Sequence, residues 1–121
     1  MCRILCIEDD AETRILIKKG LEAAGMMVDT VWAGDKGLEA AINGRFDCVL
    51  LDIMMSGMDG FQVLRTLKTQ LATQHIKVIM VTARDDEGSR QRALDDGADA
   101  YVIKPFKIGK LVTLIQTIVG K

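Results

Sequence analysis

The sequence has little proline, few aromatic residues and no long apolar run. A single proline and 4% aromatic residues stand beside 49% hydrophobic residues overall, so we expect an aliphatic, methionine-rich core. No apolar run approaches the roughly 18 residues that a membrane-spanning helix needs. Internal repeats and Ser- or Pro-rich linkers are absent as well. These features predict a single domain, residues 1–121, with no membrane segment.

Net charge and cysteine content are also low. The formal net charge is −1 at pH 7, which provides no basic surface for direct nucleic-acid binding. The three cysteines, Cys2, Cys6 and Cys48, lie in apolar stretches and lack a CxxC spacing. We therefore expect reduced, buried thiols in a cytoplasmic protein. The first residues do not have the pattern of a signal peptide.

Short apolar runs alternate with helical patterns along the chain. Most of the runs are uniformly apolar, as in strands that are buried on both faces of a sheet. The second run mixes polar and apolar residues, which predicts an edge strand. The five predicted strands are Ile4–Ile7, Val28–Trp32, Cys48–Leu51, Val78–Val81 and Tyr101–Ile103.

Apolar residues between these runs repeat at helical spacing. The first pattern, Ile17, Leu21 and Ala24, stops at Gly25, and the third begins after Asp59, a candidate N-cap. Alternating strands and helices predict an α/β fold in which helices cover both faces of a parallel sheet. We expect three layers, α/β/α, and five strands in the flavodoxin-like order 2-1-3-4-5.

Polar residues follow most of the predicted strands. Those at the ends of the first, third, fourth and fifth strands are Glu8, Asp9 and Asp10, then Asp52, Thr82 and Lys104. Because the carboxyl ends of parallel strands meet at one edge of the sheet, we expect these side chains to converge. Crowded carboxylates need a cation, and a site of oxygen ligands that retains waters suits Mg²⁺. A carboxylate can also attack phosphorus, while an ammonium and a hydroxyl stabilise the phosphoryl oxygens.

Each of these residues also has an ordinary structural explanation. An acidic run is common at a helix N-terminus, Asp52 could cap a helix, and Lys104 could end a strand in solvent. These residue types at successive strand ends are hard to explain separately. Together they favour one site for a metal ion and a phosphoryl group.

Four segments of the sequence resemble the response-regulator receiver family of two-component signalling, including its chemotaxis-type members. The segments are Ile4–Asp10, Val49–Gly60, Val81–Ala83 and Gly97–Phe106. Each segment alone is a weak signal, but four in the same order and at the right separations are specific. The resemblance covers essentially the whole chain.

The resemblance implies a phosphoacceptor and a metal site. Asp52 accepts phosphate from the phosphohistidine of a histidine kinase or phosphotransfer protein. Glu8, Asp9, Asp52 and the main-chain carbonyl of Met54 bind Mg²⁺.

The resemblance also implies a switch. Lys104, Thr82 and the Ala83 amide contact the phosphoryl group, and the Lys104–Pro105 peptide bond is expected to be cis. Thr82 moves toward the phosphate while Tyr101 turns inward, so that phosphorylation shifts the population of two conformations. The implied output surface for a downstream protein consists of the fourth helix, the fifth strand and the fifth helix.

The chain departs from the family pattern in the loop after Asp52. Ser56 stands where the family usually has proline, which leaves the loop less restricted and adds a backbone donor. Met54 and Arg84 each lie two residues past a site residue and should flank the path of a hydrolytic water. We expect both residues to affect the phosphate lifetime.

Residues 84–86 and the Gly-Ala-Asp segment are most similar to receivers attached to winged-helix DNA-binding domains. Such receivers often dimerise through salt bridges on the output surface. Ala100, Lys110 and Leu114 stand at positions that usually form these pairs and break the pattern. We therefore expect a monomer or a weak dimer.

Other functions remain open at this point. A stand-alone receiver is favoured because no effector segment is present, but the chain could also belong to a longer DNA-binding regulator or a hybrid kinase. A phosphate-independent docking module is a further alternative. A flavin-binding module would need a phosphate-cradling loop after the first strand, where the acidic run would repel a phosphate. We expect a phosphoacceptor rather than an enzyme, although the domain assists its own phosphorylation and dephosphorylation.

Overall fold

Five strands and five helices alternate along the computed structural model, which describes residues 2–120. The strands are β1 (Arg3–Ile7), β2 (Met27–Val31), β3 (Cys48–Leu51), β4 (Lys77–Thr82) and β5 (Ala100–Ile103). The helices are α1 (Ala11–Ala23), α2 (Gly34–Asn43), α3 (Gly60–Thr69), α4 (Glu87–Asp95) and α5 (Ile108–Val119).

The strands form a parallel sheet in the order β2-β1-β3-β4-β5, which confirms the predicted fold. All four residues of β3 are buried, as expected for a central strand covered on both faces. β2 lies at one edge, and its exposed and buried residues alternate over the first three positions. The mixed composition of the second apolar run therefore correctly predicted an edge strand.

Helices cover both faces of the sheet and produce the expected three layers. On one face, Leu5 and Leu51 belong to a buried cluster that also contains Leu64 of α3 and residues of α2 and α4. On the other face, Ile4 and Ile17 belong to a cluster built from the sheet, α1 and α5. Successive strand residues point to opposite faces, so one strand contributes to both clusters.

Some details differ from the sequence-based prediction. β2 ends at Val31, so Trp32 lies beyond the strand, and 59% of its surface is exposed. The predicted second strand therefore extends one residue too far at its carboxyl end. Ala24 is also exposed, because α1 ends at Ala23 and Ala24 is its C-cap. Asp59 caps α3 as predicted, since its carboxylate accepts a hydrogen bond from the Gln62 N–H at 2.9 Å.

All three cysteines are buried, and none of them forms a disulfide. Burial raises the pKa of the Cys6 thiol to about 12 and also raises the pKa of the Cys48 thiol. Within residues 2–120, none of the helices combines the length and the apolar character that crossing a membrane requires.

Candidate functional site

The polar residues at the strand ends meet at the carboxyl edge of the sheet. Glu8 directly follows β1, Asp52 directly follows β3, Thr82 is the last residue of β4, and Lys104 directly follows β5. Glu8 is 2% exposed and Asp52 is 5% exposed, which is unusual for carboxylates that are not paired. Their burial indicates a site in which each charge has a defined partner.

Three carboxylates form an acidic cluster at this edge. One oxygen atom each from Glu8, Asp9 and Asp52 lies within 4.8 Å of the other two. The donors are hard oxygen atoms, the ligand type that suits Mg²⁺, and their mutual repulsion favours a cation between them. The donor set therefore fits a divalent ion such as Mg²⁺.

Asp10 is adjacent in sequence but does not belong to the acidic cluster. Its carboxylate caps α1 and accepts a hydrogen bond from the Thr13 N–H at 3.0 Å. The helix-cap explanation of the acidic run is therefore correct for Asp10, whereas Glu8 and Asp9 face Asp52.

Lys104 neutralises part of the acidic cluster. Its Nζ donates to Asp52 Oδ2 at 2.8 Å and also to Glu8 Oε1. Burial acts to lower the pKa of Lys104, but these two hydrogen bonds outweigh burial and raise the pKa above its usual value. Burial raises the pKa of Glu8, while the hydrogen bond from Lys104 opposes that rise. Lys104 is thus a charged donor that contacts two acidic side chains at once.

Backbone contacts fix the orientation of Asp52. The Met54 N–H donates to Asp52 Oδ1 at 3.0 Å, and the Asp52 N–H donates to the carbonyl of Ile7 at 3.3 Å. Each carboxylate oxygen of Asp52 therefore has one donor, which leaves lone pairs on both oxygens. The side chain of Met54 is exposed.

Gly60, the first residue of α3, allows the helix to approach the Asp52 backbone closely. A Cβ atom at this position would lie 2.2 Å from the Asp52 carbonyl oxygen and 2.5 Å from the Ile53 Cα. Both neighbours are main-chain atoms, so a side chain could be accommodated only if the loop moved. The glycine thereby keeps the loop after Asp52 folded back against α3.

The two predicted switch residues, Thr82 and Tyr101, lie on β4 and β5. Thr82 is fully buried, and its Oγ1 accepts a hydrogen bond from the Arg84 N–H at 3.3 Å. Tyr101 is buried, its hydroxyl donates to the Arg84 carbonyl at 2.8 Å, and the Arg90 guanidinium lies 5.7 Å from its ring centroid. Tyr101 is therefore buried, and a hydrogen bond fixes its hydroxyl, whereas its role as a switch and the movement of Thr82 stay predictions.

Two clefts border the site. Ala83 lines one of them together with Lys104 and Pro105, and the Lys104–Pro105 bond is cis, as predicted. The other cleft, of about 530 Å³, is lined by Met54 and Arg84 among others. Both residues thus lie beside the acidic cluster, and their effect on phosphate lifetime stays a prediction.

Two residues make contacts that were not predicted with Glu8 and Asp9, the acidic pair that follows β1. Arg14 of α1 donates to the carbonyls of Glu8 and Asp9, and the Ser56 N–H donates to Asp9 Oδ2 at 3.3 Å. The sequence predicted an additional backbone donor at Ser56 but no role for Arg14. The available signal was the position of Arg14 five residues after Asp9, near the start of α1.

Comparison with known proteins identifies the family. The model of the response regulator receiver domain matches residues 4–116. The transcriptional regulatory protein HprR of Escherichia coli (strain K12) is 41% identical over 114 residues, which are 94% of this chain and 50% of that protein. The chain thus spans about half the length of the curated relatives it matches.

Solved structures agree with this assignment. Chemotaxis protein CheY4 of Vibrio cholerae superposes with a TM-score of 0.92 at 26% identity, covering 98% of both chains. The receiver domain of the sensor histidine kinase PA1611 from Pseudomonas aeruginosa PAO1, described with a magnesium ion coordinated in its active-site cleft, has a TM-score of 0.91 at 28% identity. That comparison covers 99% of this chain and 98% of the other. With the acidic cluster at the carboxyl edge of a 2-1-3-4-5 sheet, these matches establish that the chain belongs to the response regulator receiver domain family of two-component signalling.

Proposed function

We propose that Asp52 accepts a phosphoryl group from the phosphohistidine of a histidine kinase or phosphotransfer protein. The contact of Asp52 with Lys104 inside the acidic cluster carries this proposal. The carboxylate is held at both oxygens, by the Met54 N–H and by the Lys104 ammonium, and still has lone pairs available. A nucleophile fixed in this way needs little reorganisation before it reacts.

The chemistry follows from the groups around Asp52. A carboxylate oxygen attacks phosphorus, the phosphorus–nitrogen bond breaks, and the imidazole leaves with the bonding electrons and takes up a proton. Asp52 becomes an acyl phosphate. The Lys104 ammonium, the Thr82 hydroxyl and the Ala83 amide stabilise the phosphoryl oxygens by charge and hydrogen bonding. Each domain is modified once per signalling event, so it acts as a phosphoacceptor rather than as an enzyme with turnover.

Glu8, Asp9, Asp52 and the carbonyl of Met54 would hold Mg²⁺, whose charge offsets that of the phosphoryl oxygens when it is bound. The proximity of the three carboxylates supports their part in this ligand set. The magnesium ion described in the cleft of the PA1611 receiver domain also supports it.

The output is proposed to pass through the surface of α4, β5 and α5 to a downstream protein. Thr82 and Tyr101 connect the site to this surface, because both contact Arg84 through hydrogen bonds. Phosphorylation would bias the positions of these two side chains and so shift the population of the output conformation. A monomer or weak dimer is expected because the charged pairs used for dimerisation are broken.

The output partner can also be a segment of the same polypeptide. HprR is a transcriptional regulatory protein about twice as long as the matched region, which favours a regulator that acts on transcription. The length of the full reading frame distinguishes this arrangement from a stand-alone receiver. The three buried thiols support the cytoplasmic location expected from the sequence.

The proposal is tested by intact-mass measurement after incubation with Mg²⁺ and acetyl phosphate. One added phosphoryl group is expected on the wild type. The adduct should be absent from Asp52→Asn, which is nearly isosteric, and from the wild type in EDTA. If no adduct forms and beryllofluoride does not bind, the domain is a phosphate-independent docking module instead.

A further inference from the structure

Arg14 contacts the backbone of the acidic pair from the neighbouring helix. Its Nη1 donates to the Glu8 carbonyl at 2.8 Å and to the Asp9 carbonyl at 3.0 Å. Hydrogen bonds from a charged donor are stronger than those between neutral groups. One side chain therefore holds two successive peptide units at the point where the chain leaves β1.

From this contact we infer that Arg14 is a positioning residue for the metal site, an inference that rests on the proposed function. The directions of the Glu8 and Asp9 side chains depend on the peptide units that Arg14 holds. The same turn is also bound to β2, because the Glu8 N–H donates to the Val31 carbonyl at 3.1 Å. The turn after β1 is thus held between the edge strand and α1, and its two carboxylates face Asp52.

Positioning and charge predict opposite effects when Arg14 is replaced. The guanidinium is a positive charge near the acidic cluster, so its charge alone repels an incoming cation. If charge were the main contribution, loss of Arg14 would strengthen cation binding. If positioning is the main contribution, loss of Arg14 weakens binding. Loss of a group that orients metal ligands typically costs about 10- to 100-fold in metal affinity.

The experiment measures metal affinity directly on the whole chain. Mn²⁺ is titrated into each protein while the free ion is followed by electron paramagnetic resonance, and Mg²⁺ affinity is then obtained by competition. For Arg14→Gln we expect weaker binding, with a dissociation constant about 10-fold higher than that of the wild type. Arg14→Lys keeps the charge, but lysine lacks the planar guanidinium that orients the donor nitrogen between the two carbonyls. Its dissociation constant should therefore lie between those of the wild type and Arg14→Gln.

Urea unfolding in EDTA separates positioning from a purely structural role. A structural role would lower the unfolding midpoint of Arg14→Gln and leave the metal affinity of the folded protein unchanged. Arg65→Gln is the matched control, because Arg65 lies on α3 and forms a 3.5 Å ion pair with Asp96 away from the acidic cluster. This control should bind Mn²⁺ as the wild type does.

The results distinguish this inference from the proposed function. Unchanged or tighter Mn²⁺ binding by Arg14→Gln would overturn the positioning role while the wild type still binds the ion and accepts phosphate. A wild type that neither binds Mn²⁺ nor accepts phosphate would overturn the proposed function, and the inference with it.

Discussion

Replacing Lys104 with methionine should destabilise the protein strongly when no divalent ion is added. The substitution retains most of the aliphatic side chain and removes the ammonium group that contacts Glu8 and Asp52. These two side chains are 3% and 6% exposed, so water cannot readily replace the lost donor. Two neighbouring carboxylates would then remain buried without their shared positive partner.

The magnitude follows from the burial of the three groups. Removing one partner from a buried ion pair typically costs about 3–5 kcal/mol. The Lys104 side chain is 20% exposed, so partial solvation places the expected cost near the lower limit, about 3 kcal/mol. With a urea slope of about 1.5 kcal/mol/M for a small domain, the unfolding midpoint should fall by about 2 M.

The assay is urea unfolding followed by circular dichroism, first in EDTA and then with millimolar Mg²⁺. In EDTA the full difference between Lys104→Met and the wild type is expected. Added Mg²⁺ should narrow this difference, because a bound cation supplies the missing positive charge and stabilises the folded state by mass action. Lys110→Met is the control, because Lys110 is exposed on α5; this change should alter stability by less than about 0.5 kcal/mol.

The pH dependence of the variant provides a second measurement. Burial raises the folded-state pKa of Glu8, and Lys104 opposes this rise. Without Lys104, folded Glu8 takes up a proton at a higher pH than the unfolded chain, where glutamate titrates near about 4.3. Protonation of Glu8 therefore stabilises the folded variant. This contribution to the free energy of unfolding is complete below the unfolded pKa and is lost as the pH rises through the folded pKa. The deficit of Lys104→Met should therefore shrink as the pH is lowered from neutrality toward the unfolded pKa.

Equal unfolding midpoints for Lys104→Met and the wild type in EDTA would refute this reasoning. A deficit that grows on acidification would refute the assignment of the cost to two ionised carboxylates.

Three further predictions concern the loop after Asp52 and the core. Gly60→Ala should lower the free energy of unfolding in urea by about 1–3 kcal/mol and slow phosphorylation, because the alanine Cβ would clash with the Asp52 carbonyl. A free energy of unfolding equal to that of the wild type would contradict this prediction. Ser56→Pro should lower Mn²⁺ affinity, whereas Ser56→Ala, which keeps the N–H to Asp9, should not. If Ser56→Pro and Ser56→Ala bind Mn²⁺ with equal affinity, the Ser56 N–H has no role in metal binding. The native thiols should react with Ellman's reagent only after unfolding, because Cys6 is 1% exposed with a pKa near 12.

Sequence patterns predicted the positions of the strand ends and therefore most of the site. Uniform apolar runs end sharply at Glu8 and Asp52, and the parallel sheet brings such ends to one edge. The second run correctly predicted the edge strand but placed its end one residue late, because the apolar Trp32 continues the run although it lies beyond β2 and is exposed. The roles of the site residues in phosphoryl transfer remain predictions.

Contacts that depend on the angle between elements were not predictable from the sequence. Asp9 and Asp10 are neighbours, yet one faces the acidic cluster and the other caps α1. The reach of Arg14 back to β1 depends on the direction in which α1 leaves the sheet. The need for glycine at position 60 depends on how closely α3 approaches the loop. These features depend on how the helices pack against the sheet and its loops, which the spacing of hydrophobic residues in the sequence does not determine.

The contact between Lys104 and Glu8 joins residues 96 positions apart in the chain. Closing so large a loop is entropically unfavourable until β5 has paired with β4, so this contact belongs to the late stages of folding. A chain emerging from the ribosome has its acidic residues and Asp52 long before its lysine. Competence to accept phosphate should therefore appear only when the last strand has joined the sheet, which makes phosphorylation a reporter of completed folding.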